Sequence, residues 1–151
     1  MKLAEALQIR ADLQKRIAQM GARLNNNATV QQGTTPAENP QDLMRELDGM
    51  FGQLEDLMTR INITNSSTVT DGGTTITGLI ARRDCLKQKI SMLREFLDCA
   101  SQLARRHSLS EILVVSTVDV AAQRKTIDSL SKELRELDTR IQSLNWTVDL
   151  L

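Results

Sequence analysis

The sequence is poor in aromatic side chains and has no surplus of positive charge. Only three aromatic residues are present, Phe51, Phe96 and Trp146, too few to stack bases or sugar rings repeatedly along a surface. The 19 basic and 19 acidic residues cancel, whereas proteins that bind nucleic acids or anionic membranes normally carry a basic excess. We therefore expect neither a nucleic-acid partner nor a membrane partner.

Long apolar runs are also missing. The longest purely apolar run is Ile112–Val115, far below the roughly 20 residues that span a bilayer. The first ten residues, Met-Lys-Leu-Ala-Glu-Ala-Leu-Gln-Ile-Arg, have an early acidic residue and alternating polar residues instead of the continuous apolar block of a secretory signal. The sequence predicts a cytoplasmic protein that does not span a membrane.

Side chains that bind metals are scarce. Cys85 and Cys99 lie 14 residues apart in one predicted helix, which separates them by about 21 Å, beyond the reach of a disulfide. His107 is the single histidine, and no Cys-X-X-Cys or His-X-X-X-His spacing accompanies it. We predict no metal site and no cofactor.

Four long stretches carry apolar residues at spacings of three and four, the period that places one apolar stripe on an α-helix. The last stripe is interrupted only by Gln123 and comprises Val120, Ile127, Leu130, Leu134, Leu137, Ile141, Leu144, Val148 and Leu151. A chain of 151 residues is a suitable length for one domain. We predict an all-α domain over residues 1–151, a four-helix bundle of long antiparallel helices. The helices are expected at about residues 2–25, 39–63, 75–107 and 118–146.

The connectors between the predicted helices are long. Asn26–Asn39 has a loop composition, and the Asp-Gly-Gly turn within Thr64–Thr75 predicts a small β-hairpin. The β-branched run in Ser108–Val118 either pairs with that hairpin or begins a helical turn, because Ser108 and Glu111 have the spacing of a capping box. Connectors of this length allow an up-down-up-down bundle, crossovers, or exchange of helices between subunits.

Two helices carry a second apolar face beside the main stripe. On the second helix this face comprises Met44, Phe51 and Met58, and we expect it to contact a further neighbour. On the third helix it comprises Cys85, Met92 and Cys99, which favours helix packing or self-association over thiol chemistry. The third and fourth helices are also predicted, at about 30 residues each, to extend beyond the other two, and the overhang requires a partner. These patterns indicate a homo-oligomer.

Arg10 and Arg83 interrupt the apolar stripes of the first and third helices. A buried arginine requires carboxylate or backbone partners, and an antiparallel bundle places both residues at one pole, near Asp56 and Asp138. Three interpretations follow: an ion network that stabilises the fold, a pair of guanidinium groups that bind a small anionic ligand, or simple exposure to solvent.

Other polar residues are predicted to lie at the same pole. Asn62 and Asn65 follow the second helix, where asparagine commonly caps a helix or stabilises a loop. Trp146, near the end of the fourth helix, is expected to cover the end of the bundle as a lid. No catalytic residue is predicted. The candidate ligand-binding residues are Arg10, Arg83, Asn62, Asn65, Asp138 and Trp146.

Three short segments, Ile61-Asn-Ile-Thr-Asn65, Arg83-Asp84 and Leu137-Asp-Thr-Arg-Ile-Gln-Ser-Leu-Asn-Trp146, resemble a family of small bacterial proteins often labelled septicolysin. The resemblance extends over roughly residues 1–150, and the label implies a membrane-active cytolysin. From the residues themselves we expect a non-catalytic binding or structural oligomer with a protein or small-molecule partner. A small-ligand-binding protein or an enzyme that uses the arginine-containing pole is the third alternative.

Overall fold

The computed structural model describes residues 1–102 and 113–151. This part of the chain contains four helices and no β-strand, which confirms the predicted all-α fold. The helices are α1 (Leu3–Asn26), α2 (Pro40–Ser67), α3 (Ile76–Ser101) and α4 (Val120–Thr147). His107 and the predicted capping box of Ser108 and Glu111 lie outside the described residues.

Helices α2 and α4 begin at capping side chains. Asn39 accepts a hydrogen bond from the backbone N–H of Gln41 at the start of α2, with Pro40 in the first helical position. Asp119 caps α4 in the same way through the N–H of Ala122. Such caps satisfy backbone donors that have no partner inside the helix, and they place the helix starts within two residues of the predicted ones.

The ends of two helices differ from the prediction. Helix α2 continues to Ser67 instead of ending near Ile63, because Thr64 is fully buried and its hydroxyl donates to the carbonyl of Arg60. Helix α3 ends at Ser101, and residues 103–107 of the predicted helix lie outside the described residues. The described helices are 24, 28, 26 and 28 residues long, so within the described residues the third and fourth helices do not extend beyond the second as predicted.

The four helices form two antiparallel hairpins, α1–α2 and α3–α4, which meet at one end. We call this meeting point the junction; it contains the starts of α1 and α3 and the ends of α2 and α4. Its buried core draws on three helices and the C-terminal segment, and comprises Leu3, Ala6, Leu13, Leu57, Ile61, Ile76 and Leu150. Apolar burial of this kind is the main force that holds the two hairpins together.

Away from the junction, each hairpin has its own core. Met20, Leu43 and Met50 form a cluster within the α1–α2 hairpin. The α3–α4 hairpin has a separate cluster of Leu86, Ile90, Leu97 and Ile127. Neither cluster includes a residue from the other hairpin, so the core that the two hairpins share lies at the junction.

Both ends of the described chain are fixed at the junction. The backbone N–H of Leu3 donates to the carbonyl of Val148 over 3.0 Å, and that of Leu150 donates to the carbonyl of Met1 over 2.9 Å. The N–H of Leu151 donates to the Thr64 hydroxyl on α2. The C-terminal segment thereby links α1 to α2.

The predicted β-hairpin is reduced to one antiparallel bridge between Val69 and Thr75. Gly73 allows the turn between them because its φ of 73° lies in the left-handed region that favours glycine. Residues 113–118 lie directly before α4, at the end of the α3–α4 hairpin remote from the junction, and form no bridge with this turn. The alternative that paired Ser108–Val118 with the turn is wrong for this described part.

Candidate functional site

Arg83 forms an ion pair with Asp138, one of the two aspartates that the sequence analysis placed near it. Its Nε lies 3.9 Å from a carboxylate oxygen of Asp138, and its Nη2 lies 2.8 Å from that of Asp84. The Arg83 side chain is 26% exposed. Two carboxylates therefore already engage this guanidinium group at the surface between α3 and α4, which favours the ion-network interpretation of this residue.

Arg10 is half-buried on α1, and its Nε has no hydrogen-bond partner among the described residues. Asp56, predicted as a partner at this pole, lies 3.9 Å from Arg60, one turn further along α2. Asp56 therefore does not pair with Arg10. No described contact joins Arg10 to Arg83, so the two residues do not form the predicted paired-guanidinium site.

Asn62 and Asn65 do share a site. Both line an open groove of about 500 Å³ between α2 and α3, together with Ile63, Ser66, Thr77 and Ile80. The buried Oδ1 of Asn65 has no hydrogen-bond donor among the described residues. Arg10, Arg83 and Asp138 are not among the lining residues, so the six predicted binding residues divide into separate groups.

Trp146 does not act as the predicted lid. Its side chain is 64% exposed near the end of α4. The core beside it is completed instead by Val148 and Leu150, which follow the helix. The predicted position near the junction is correct, but the covering role is wrong because the C-terminal segment fills that space.

The clearest unassigned surfaces are two apolar strips on the outer faces of the hairpins. The α2 strip comprises Met44, Phe51 and Met58, whose side chains are 46%, 51% and 41% exposed. No neighbour within the described chain covers them, so the expected second contact of α2 is not made inside one copy. The α3 strip comprises Cys85, Met92, Phe96 and Cys99 and is also exposed.

The sequence pattern had indicated most of these strip residues through their seven-residue spacing. Phe96 was not assigned to the α3 strip, although it lies four residues after Met92 and therefore on the same helix face. The two cysteines are free and exposed, in agreement with the prediction that they do not bridge each other.

Among the described residues, two carboxyl groups have clearly lowered pKa values, and both belong to surface ion pairs. A hydrogen bond from Arg23 lowers the pKa of Glu38, and a hydrogen bond from Lys2 lowers the pKa of Asp149. Ion pairs favour the charged form of a carboxyl group. These pairs connect α1 to its neighbours and lie outside the residues predicted to bind a ligand, so they have a structural role.

Residues 1–102 and 113–151 contain neither a cluster of metal-binding side chains nor a membrane-spanning helix. No three histidine, cysteine, aspartate or glutamate side chains gather closely enough to hold a metal ion. None of the four helices combines the length and the apolar character needed to cross a membrane.

The structure is similar to a crystal structure of a functionally unknown conserved protein from Corynebacterium diphtheriae. The two chains are 39% identical, with a TM-score of 0.86, and the match covers 100% of this chain and 99% of the other. No curated protein matches the sequence. The sequence matches a family of unknown function, DUF6847, over residues 10–150. This protein belongs to the DUF6847 family.

Proposed function

We propose that this protein is a non-catalytic assembly protein whose copies associate through the α2 strip of one copy and the α3 strip of another. The observation that carries the proposal is the exposure of both strips on opposite hairpins of the same chain. Large apolar side chains arranged in a row on a helix commonly mark a protein interface.

The two strips have the same spacing. In both strips, consecutive positions are separated alternately by four and three residues. The positions on α2 are 44, 48, 51, 55 and 58, and they correspond in this order to 85, 89, 92, 96 and 99 on α3. Each strip covers about 21 Å of helix. This alternation is the seam of a coiled coil, in which side chains of one helix insert between four side chains of its partner.

Charge favours the pairing of unlike strips. Asp48 and Glu55 lie between the apolar residues of the α2 strip. In the α3 strip, Lys89 occupies the position that corresponds to Asp48. Two α2 strips would place four carboxylates in one seam, whereas an α2 strip against an α3 strip places Lys89 among them. Opposite charges set the partner and the register of such interfaces.

The symmetry of the assembly depends on how the strips meet. Two copies that exchange both contacts form a closed dimer, and a head-to-tail contact forms a ring or an open filament. Either arrangement buries the two phenylalanines of the sequence, Phe51 and Phe96, at the same kind of interface. Aromatic side chains in such positions contribute strongly to association.

Sedimentation velocity across a range of protein concentrations tests the proposal. We expect the wild-type chain to associate, and Phe51→Glu or Met92→Glu to shift it to monomer, because each places a charge in the seam. Ile9→Glu is the matched control, since Ile9 is 44% exposed on α1 outside both strips. A wild-type chain that remains monomeric at all concentrations would refute the proposal.

Charge reversal distinguishes pairing of the α2 strip with the α3 strip from non-specific hydrophobic association. The combined Asp48→Lys and Glu55→Lys change should weaken association, and so should Lys89→Glu alone. All three changes together should restore association, because the signs are then exchanged between the strips. If the triple variant associates no better than the others, the unlike strips do not pair.

Three further expectations complete the proposal. We place the protein in the cytoplasm, supported by two exposed thiols that a reducing compartment would keep free. The cytolysin activity implied by the resemblance to septicolysin-labelled proteins stays a prediction, tested by dye release from liposomes. Binding of a small anion or a substrate at the arginine-containing pole is tested by Arg83→Met, which should abolish that binding while the fold persists.

A further inference from the structure

A second surface of the α3–α4 hairpin, separate from the α3 strip, gathers positive charge. An open groove of about 350 Å³ runs between the two helices. Lys87 and Arg94 lie along its α3 side and Arg135 along its α4 side, with the hydroxyls of Ser91 and Ser131 between them. The floor is apolar and consists of Ile90 and Leu134.

The three basic groups in this groove are not neutralised by neighbouring carboxylates. None of the three has a described carboxylate oxygen within 4.0 Å, whereas Arg82 lies 2.5 Å from Glu133 and Lys132 lies 3.8 Å from Glu136 in the same hairpin. On α4, Glu133 pairs with Arg82 and Glu136 pairs with Lys132. The formal net charge of the chain is zero, so this concentration of positive charge is local.

One guanidinium group is already oriented across the groove. Arg94 Nη2 donates a hydrogen bond of 3.1 Å to Ser131 Oγ on the facing helix. Arg94 and Arg135 together offer planar sets of donors suited to tetrahedral oxyanions, and Lys87 adds a point charge. Serine hydroxyls supply further donors to the same ligand oxygens.

We infer that this groove binds a phosphate group, as a free phosphorylated solute or as the headgroup of a lipid. Three cations and two hydroxyls match a dianion better than a single carboxylate, which two donors would satisfy. The groove differs from the arginine-containing pole, where Arg83 is already paired with Asp84 and Asp138.

Isothermal titration calorimetry with pyrophosphate, at fixed ionic strength, tests the inference for a solute. We expect one saturable site, and Arg94→Gln or Arg135→Gln should each raise the Kd by about tenfold or more, the effect of losing a charge-assisted hydrogen bond. Lys125→Gln is the matched control, because it removes the same charge from an exposed part of α4 outside the groove. Thermal melts of each variant verify that the fold is retained.

Co-sedimentation with vesicles that contain phosphatidic acid forms the second arm of the test. Binding that depends on Arg94 and Arg135 in this arm alone identifies a lipid headgroup, and binding in the calorimetric arm alone identifies a solute. The inference is wrong if neither probe binds. It is equally wrong if Lys125→Gln weakens binding as much as Arg94→Gln, since that would report only general attraction between charges.

Discussion

The replacement Leu3→Ala provides a demanding test of the junction. Leu3 is fully buried there, among side chains from α1, α2, α3 and the C-terminal segment. The backbone around it is held on both sides, because the N–H of Leu3 donates to Val148 and that of Leu150 donates to Met1. A cavity left by the missing side-chain atoms therefore has little freedom to collapse.

The expected loss of stability follows from this restraint. Buried leucine-to-alanine replacements lower the free energy of unfolding by about 2–5 kcal/mol, with the larger values where the surroundings cannot relax. We expect about 3–5 kcal/mol for Leu3→Ala. For a chain of this length, each kcal/mol lowers the Tm by about 2–4 °C, so the melting temperature should fall on the order of 10 °C.

Urea unfolding followed by circular dichroism measures the effect. Ile9→Ala is the matched control, because Ile9 lies on the same helix with 44% of its side chain exposed, and surface changes usually stay within about 0.5 kcal/mol. A loss below about 1 kcal/mol for Leu3→Ala would refute the tightly packed junction described above.

Three other predictions test individual contacts. Asn27→Ala should lower the free energy of unfolding by about 1–3 kcal/mol in thermal melts, because the buried Asn27 side chain accepts a hydrogen bond from the backbone N–H of Glu38 and donates one to the carbonyl of Arg23, and both are lost. The pKa of Asp149, followed by NMR, should lie below the ordinary value of about 3.9 and should rise toward it in Lys2→Gln. Because the folded pKa is the lower one, this pair stabilises the fold fully above the ordinary pKa, and the stabilisation disappears as the pH falls through the lowered value. Gly73→Ala should lower the Tm, at a cost of about 1 kcal/mol for a φ of 73°, while Gly73→Asn should be tolerated better.

The helices could be predicted because local signals and apolar periodicity agree. Asn39 with Pro40 is a capping signal that depends on neighbouring backbone groups alone. The end of α2 could not be predicted in the same way. The sequence around Thr64 resembles a loop, and its helical conformation depends on burial at the junction and on the contact with Leu151.

The candidate site was less predictable than the fold. The pairing of Arg83 with Asp138 required only the antiparallel topology and similar distances from the helix ends. The role of Trp146 depended on where the C-terminal segment lies, which helical periodicity does not specify. The basic groove was missed because Lys87, Arg94 and Arg135 look like ordinary solvent-exposed residues until α3 and α4 are placed side by side.

Disulfide cross-linking between copies tests the central claim, that the α2 strip of one copy contacts the α3 strip of another. Native Cys85 and Cys99 already lie in the α3 strip. A cysteine introduced by Met44→Cys or Met58→Cys can therefore form a disulfide with one of them if the two strips are in contact, because a disulfide requires a distance of about 4.4–6.8 Å between the two Cα atoms. Mild oxidation followed by peptide mass spectrometry should join one introduced thiol to Cys85 of a second copy and the other to Cys99. Ile9→Cys should not cross-link in this way. Equal cross-linking of all three variants, or none with the α3 strip, would contradict the proposed assembly.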